Sequence, residues 1–216
     1  MKAAIFDMDG VLFDTERLGA IFWKKAAEDL NFEINDEVLS NITGRNPESG
    51  SEYFLKKYEG KVDYKIAGKL KNEYLLSYIT KNGLPIKNGV LSILEYLRSN
   101  NYKIALATSS LEDTVNIYFG YAGIEKYFDL KICGNMISKG KPDPEIYLKS
   151  MELLNEKPGD VFIFEDSPAG IIAGYRAGGN VIAIPDTVPL TKEILNYPIC
   201  CCSSLEIAIK FIKNYI

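Results

Sequence analysis

Residues 5–16 read IFDMDGVLFDTE, a short apolar run that stops at Asp7 and is followed at once by Asp9, Asp14 and Glu16. A brief, continuous apolar run bounded by polar residues is the pattern of a strand buried on both faces. Carboxylates crowded this closely repel one another, so this strand end is expected to serve a cation or a reaction. Three runs of the same kind follow: KIALATS from residue 103, DVFIFED from 160 and NVIAIPD from 180. Helical periodicity separates them, over 89–100, over LEDTVNIYFGYAG after the second strand, over 143–155, and over SPAGIIAGYRAG after the third. Gly178 and Gly179 supply the stop to the last of these. Strands alternating with helices predict an α/β fold, a parallel sheet core with helices on both faces.

The region between the first two strands breaks this rhythm. Residues 15–30, roughly 47–59 and 63–80 carry helical patterns, and no strand pattern interrupts them. An all-helical block inserted after the first strand predicts a cap domain over 15–84, with the α/β core built discontinuously from 1–14 and 85–216. The segment NGLPIKNG, 82–89, carries the chain back to the core.

Composition narrows the chemistry. With 216 residues, 47 % of them hydrophobic, the chain can bury one substantial core and a smaller lobe. A net charge of −4 advertises no surface for nucleic acid. No apolar run approaches the roughly 18 residues of a membrane span. The chain runs from Met1 directly into KAAIFD without a leader pattern, so a cytoplasmic, monomeric protein is expected. Cys133 and the run Cys200, Cys201 and Cys202 lack the paired spacing of a zinc site or a disulfide framework, and read as reduced, small apolar residues. The chain has no histidine, so imidazole cannot serve as base or ligand. Acid–base work falls to carboxylate, lysine, tyrosine or cysteine, and a metal site to oxygen donors, which points to Mg²⁺ or Ca²⁺.

In open parallel sheets ligands bind beyond the carboxyl ends of the strands. There the first strand presents Asp7 and Asp9, the second Thr108, Ser109 and Ser110, and the third Glu165 and Asp166. Four ionised carboxylates in one place carry −4, and Lys141 with a divalent cation still leaves the site at −1. Mg²⁺ is therefore expected, and so is one protonated carboxyl; Asp9 suits that role as a general acid.

The segments DMDGVLFDTE, ATSS, KGKPDP and FEDSPAG, in this order, resemble the four motifs of the haloacid dehalogenase superfamily, and the likeness covers nearly the whole chain. The closest likeness is to its helical-cap phosphatases and phosphomutases, with a Rossmann-like core. The resemblance implies Asp7 as nucleophile forming an aspartyl-phosphate, and Asp9 as general acid and then base. It implies Thr108 as a phosphoryl hydrogen-bond donor and Lys141 as the neutralising cation. Asp7, Asp9 through its carbonyl and Asp166 become the Mg²⁺ ligands, with Glu165 ligating or orienting a water. Gly10 allows the turn beside the phosphate, with Ser109 and Ser110 near it. An acid at the Asp9 position sets the chain apart from the superfamily's dehalogenases.

The resemblance also bears on the substrate, expected to be a small phosphate ester such as a sugar phosphate. Sugar phosphomutases of this kind carry a cap histidine where this chain has Gly19, and an arginine where it has Pro47. Hydrolysis is therefore expected, with a phosphomutase as the alternative and a silent ligand-binding protein as a further one. Arg45 and Lys71 are the cap's candidate substrate contacts. Asp14 and Glu16 are read as charges favouring a helix N-terminus, and Trp23 as packing.

Overall fold

The computed structural model describes residues 2–43 and 47–215. Among them six strands form one sheet: β1 (Ala3–Phe6), β2 (Lys103–Ala107), β3 (Leu130–Ile132), β4 (Val161–Glu165), β5 (Asn180–Ala183) and β6 (Cys200–Cys201). Their order is β3-β2-β1-β4-β5-β6, and every neighbouring pair is parallel. The four expected strands occupy the centre. The two additional ones, β3 and β6, are short edge strands.

Alternation along each central strand divides the core in two. Ala4 and Phe6, Ile104 and Leu106, and Phe162 and Phe164 face one side. That side is covered by α5 (Val90–Ser99), α6 (Glu112–Ala122) and α9 (Leu205–Tyr215). Phe6 and Phe164, paired in register, stack with ring centroids 4.3 Å apart. Ala3 and Ile5, Ala105 and Ala107, and Val161 and Ile163 face the other side. There α7 (Glu145–Leu154) and α8 (Pro168–Arg176) pack with Ile146, Tyr147, Met151 and Ile171. The side chains facing α7 are mostly small, which lets that helix lie close beneath the strand ends. The architecture is the expected α/β core with helices on both faces.

Between β1 and β2 lie α1 (Thr15–Asp29), α2 (Asp36–Ile42), α3 (Pro47–Tyr58) and α4 (Tyr64–Asn82). The seven-residue α2 adds to the helices read from the sequence there, as α9 does at the far end of the chain. These four helices bury a cluster of their own around Trp23, Leu39, Phe54 and Ala67. The Trp23 and Phe54 rings are 5.6 Å apart, in line with the packing role read for Trp23. Leu18, Leu75 and Ile79 instead join the core cluster and seat the block on the sheet domain. The two connecting segments pair with each other. Asp14 N–H donates to Pro85 O at 2.9 Å, Lys87 N–H donates to Leu12 O at 2.9 Å, and Phe13 bridges Ile86 in antiparallel fashion. Among the described residues no helix is long and apolar enough to cross a membrane.

Candidate active site

The three central strands β2, β1 and β4 end side by side, and the register sets Asp7 level with Glu165. Asp7 N–H donates to Phe164 O at 3.0 Å, which continues the ladder one residue past β1 and aims the carboxylate across the strand ends. Thr108 follows β2 in the same way, its N–H donating to Ile132 O at 3.0 Å.

Lys141 enters from the loop before α7 and lies buried between these strands. Its ammonium donates to Asp7 Oδ1 at 2.5 Å, to Glu165 Oε1 at 2.6 Å and to Ala107 O at 3.2 Å, so all three of its protons are engaged. Burial opposes its charge, but Asp7 and Glu165 outweigh that and hold its pKa well above the usual lysine value. Lys141 is a fixed cation.

Glu165 is fully buried and saturated with donors. Besides Lys141, Oε1 accepts from Tyr147 Oη at 2.7 Å, and Oε2 accepts from the Ser167 N–H and hydroxyl, both at 3.0 Å. Ser167 is the N-cap of α8, its hydroxyl accepting from Gly170 N–H at 3.1 Å, so the positive end of that helix faces the carboxylate. A Cβ on Gly170 would overlap the Glu165 carboxylate, which explains a glycine in the first turn of the helix.

Asp166 has no such compensation. Burial, followed by the charges of Glu165 and Asp7, pushes its carboxyl well above the ordinary range. Asp7 is raised as well: burial dominates, Lys141 pulls it back, and Glu165 and Asp9 push it up. Asp7, Glu165 and Asp166 each bring a carboxylate oxygen within 4.8 Å of the others. Buried acids short of positive charge, with oxygen donors alone, fit a hard divalent cation. Gly10 belongs to this arrangement from below. Its φ of +82° turns the chain after β1, and a Cβ there would overlap the Asp166 carboxylate.

Asp9 stands to one side, held by two hydroxyls. Thr15 Oγ1 donates to Oδ1 at 2.5 Å and Ser110 Oγ to Oδ2 at 2.7 Å. Thr15 opens α1, so the orientation of this acid is tied to the first residue of the helical block. Ser110 N–H in turn donates to Thr108 Oγ1 at 3.1 Å.

Asp7, Asp9, Thr108, Ser109, Ser110, Lys141 and Asp166 all line one cavity of about 490 Å³, and Lys71 reaches it from α4. Glu165 lies behind Lys141, and Gly10 beneath Asp166, so both support the cavity wall. Arg45 lies outside the described residues. Three participants carried no individual signal in the sequence. Thr15 acts through Asp9, six residues back, and Tyr147 through Glu165, 18 residues on; Glu16, read as a helix-end charge, does occupy the first turn of α1 but also lines the cavity.

The family described as haloacid dehalogenase-like hydrolase matches residues 4–184. Among curated proteins the chain is similar to a phosphorylated carbohydrates phosphatase of Thermotoga maritima, 35 % identical over 82 % of each chain. It is also similar to a beta-phosphoglucomutase of Bacillus subtilis, 30 % identical over 88 % of this chain and 86 % of the other. Among solved structures, a beta-phosphoglucomutase of Clostridium difficile superposes with a TM-score of 0.83 at 26 % identity, covering 99 % of this chain and 96 % of that one.

Proposed function

The chain belongs to the haloacid dehalogenase-like hydrolase family, and we propose that it is a Mg²⁺-dependent phosphatase of small phosphorylated carbohydrates, working through a phosphorylated Asp7. The observation that carries this reading is Asp7 itself, a buried carboxylate at a strand end, fixed by Lys141 at 2.5 Å and facing a cavity it shares with Asp9 and Thr108. A cavity of about 490 Å³ suits a small ester. The name of the Thermotoga maritima relative supports a carbohydrate ester. Residues 15–84 form the cap of this reading, and 1–14 with 85–216 the catalytic core.

In the first half-reaction a carboxylate oxygen of Asp7 attacks phosphorus, and the bond from phosphorus to the ester oxygen breaks. Asp9 delivers a proton to the departing oxygen, so the alcohol leaves neutral. Thr108, buried at the end of β2, donates its hydroxyl proton to a phosphoryl oxygen. Lys141 holds Asp7 in line and balances the charge that gathers as the new bond forms. In the second half-reaction Asp9, now a carboxylate, takes a proton from water. The water oxygen attacks phosphorus, the bond to Asp7 breaks, and inorganic phosphate is released. Thr15 and Ser110 fix the position from which Asp9 acts in both steps. Asp7, Asp166 and the Asp9 carbonyl would hold Mg²⁺, which would neutralise phosphoryl charge. Glu165 keeps Lys141 in place, since both its oxygens are occupied by protein donors.

A sugar phosphomutase is the second reading, supported by the names of the Bacillus subtilis and Clostridium difficile relatives. Against it stands Gly19, which lines the cavity with open space where a side chain would begin and offers no acid–base group. Phosphate release from a panel of sugar phosphates, with Mg²⁺ and with EDTA, tests the proposal, with Asp7→Asn as the blank. Release that needs both Mg²⁺ and Asp7 is expected. Isomerisation of glucose 1-phosphate to glucose 6-phosphate without net release would favour the mutase.

A further inference from the structure

The mechanism leaves one buried hydroxyl at the site without a task. Tyr118, on α6, is 5 % exposed and lines the cavity. Its ring packs edge-on to Phe13, with centroids 5.8 Å apart, on the apolar face that α6 builds with Val115 and Phe119. Yet among the described residues its hydroxyl makes no hydrogen bond, although Asp9 and Glu16 are near enough for their charges to act on it. Phenylalanine would pack against Phe13 equally well and carry no polar group to desolvate. A tyrosine hydroxyl buried at a cavity wall without a protein partner is complementary to a partner that enters the cavity.

The chemistry of that partner follows from the charges around it. Burial, then Asp9 and Glu16, push the Tyr118 pKa far above the ordinary phenol value, so the hydroxyl keeps its proton and is available as a donor. The Asp9 oxygens are already engaged, Oδ1 by Thr15 and Oδ2 by Ser110. The partner is therefore an oxygen acceptor lodged beside Asp9, and a neutral one, because the surrounding acids repel an anion. The acids that act on Tyr118 are Asp9 and Glu16, and not the cluster of Asp7, Glu165 and Asp166 at the strand ends. The hydroxyl thus stands on the side of Asp9 that faces the helical block, where the organic part of an ester lies once its phosphorus meets Asp7. The acceptor nearest to the ester oxygen on that side is an oxygen on the neighbouring carbon.

We propose that Tyr118 is a specificity-determining residue whose hydroxyl donates to the hydroxyl or ether oxygen on the carbon next to the ester carbon, and so favours polyol and sugar monophosphates over esters that lack that oxygen. This rests on the phosphatase reading above and deepens it. The contact comes from α6, which packs on the sheet that also carries Asp7 and Asp9. Its place relative to the ester is therefore set by the packing of Tyr118 on Phe13.

The test uses three esters under Mg²⁺: sorbitol 6-phosphate, 5-deoxysorbitol 6-phosphate, which lacks only the hydroxyl next to the ester carbon, and p-nitrophenyl phosphate, which has no hydroxyl. The native enzyme is expected to show kcat/KM about fivefold higher for sorbitol 6-phosphate than for its deoxy analogue, as for one hydrogen bond. Tyr118→Phe removes only the oxygen. In that variant kcat/KM for sorbitol 6-phosphate should fall about fivefold and the other two esters should change by less than about twofold, so the preference vanishes. Its Tm should match or exceed the native value, since no protein hydrogen bond is lost. Equal use of the two hexitol phosphates by the native enzyme, or turnover of p-nitrophenyl phosphate alone, overturns the proposal without any variant. A Tyr118→Phe enzyme that keeps the native preference overturns it. So does one that loses all three esters by one factor, because a hydroxyl serving the hydrolytic water or the fold predicts that. A lowered Tm would give the hydroxyl a protein partner, with the same consequence. Failure to hydrolyse any ester, p-nitrophenyl phosphate included, overturns the phosphatase reading itself, and the inference falls with it.

Discussion

Glu16 makes a prediction about stability that is independent of turnover. Burial, and then the charge of Asp9, raises its carboxyl from 4.5 to about 7, with Lys71 acting in the opposite direction. An acid whose pKa is higher in the fold than in the unfolded chain binds its proton more tightly when folded. Its contribution is therefore fully present below 4.5 and is withdrawn as pH rises through about 7. Between about pH 5 and about pH 8 the withdrawal amounts to ~2 kcal/mol. Glutamine has the shape of the protonated acid and does not titrate, so Glu16→Gln escapes this loss. For a chain of this length ~2 kcal/mol corresponds to about 4–8 °C in Tm. The assay is thermal unfolding of both proteins in EDTA across this pH range. The Tm of Glu16→Gln minus that of the native protein should grow by that amount from the acid to the alkaline end. A difference that stays flat, or that shrinks as pH rises, would refute the argument that Glu16 is held in a buried, acid-crowded cavity.

Other perturbations test the core of the site. Lys141→Met removes the cation that Asp7 and Glu165 share and leaves buried acids unpaired, so turnover should vanish and stability fall by about 3–5 kcal/mol at neutral pH by denaturant titration. Gly10→Ala should push Asp166 aside and strain the turn. Its expected signature is at least a tenfold rise in the Mg²⁺ concentration for half-maximal phosphate release; an unchanged Mg²⁺ dependence would remove Asp166 from the proposed ligand set. Phe54→Ala empties the centre of the helical cluster and should lower stability by about 3–5 kcal/mol, as read by denaturant unfolding.

The sequence was legible where a residue's own surroundings in the chain set its fate. β1, β2, β4 and β5 are buried on both faces, so each shows as a continuous apolar run, and the polar residues that end β1, β2 and β4 mark the site edge. The run Cys200 to Cys202 could not be read this way. Cys200 and Cys201 form a two-residue edge strand with one side chain exposed, Cys202 is buried beyond it, and the Cys200 and Cys202 sulfurs lie 3.3 Å apart. β3, three residues long, was hidden for the same reason. Within the site, Asp7, Asp9, Thr108, Lys141 and Asp166 came from ordered motifs and meet in one cavity. What stayed hidden was partnership across the chain. Nothing local couples Tyr147 to Glu165, 18 residues on, or Ser110 to Asp9, 101 residues back. Glu16 was obscured by a second, equally valid role, because an acid in the first turn of a helix already has a reason to be there.

The central claim is that the phosphoryl group passes through Asp7. The direct measurement is borohydride trapping during turnover of a sugar phosphate with Mg²⁺, followed by peptide mass spectrometry. Borohydride reduces an acyl phosphate to an alcohol, so the account predicts homoserine at position 7, dependent on substrate and absent from Asp7→Asn. Sustained phosphate release with residue 7 recovered as unmodified aspartate, or with the reduced residue found at another carboxylate, would contradict it.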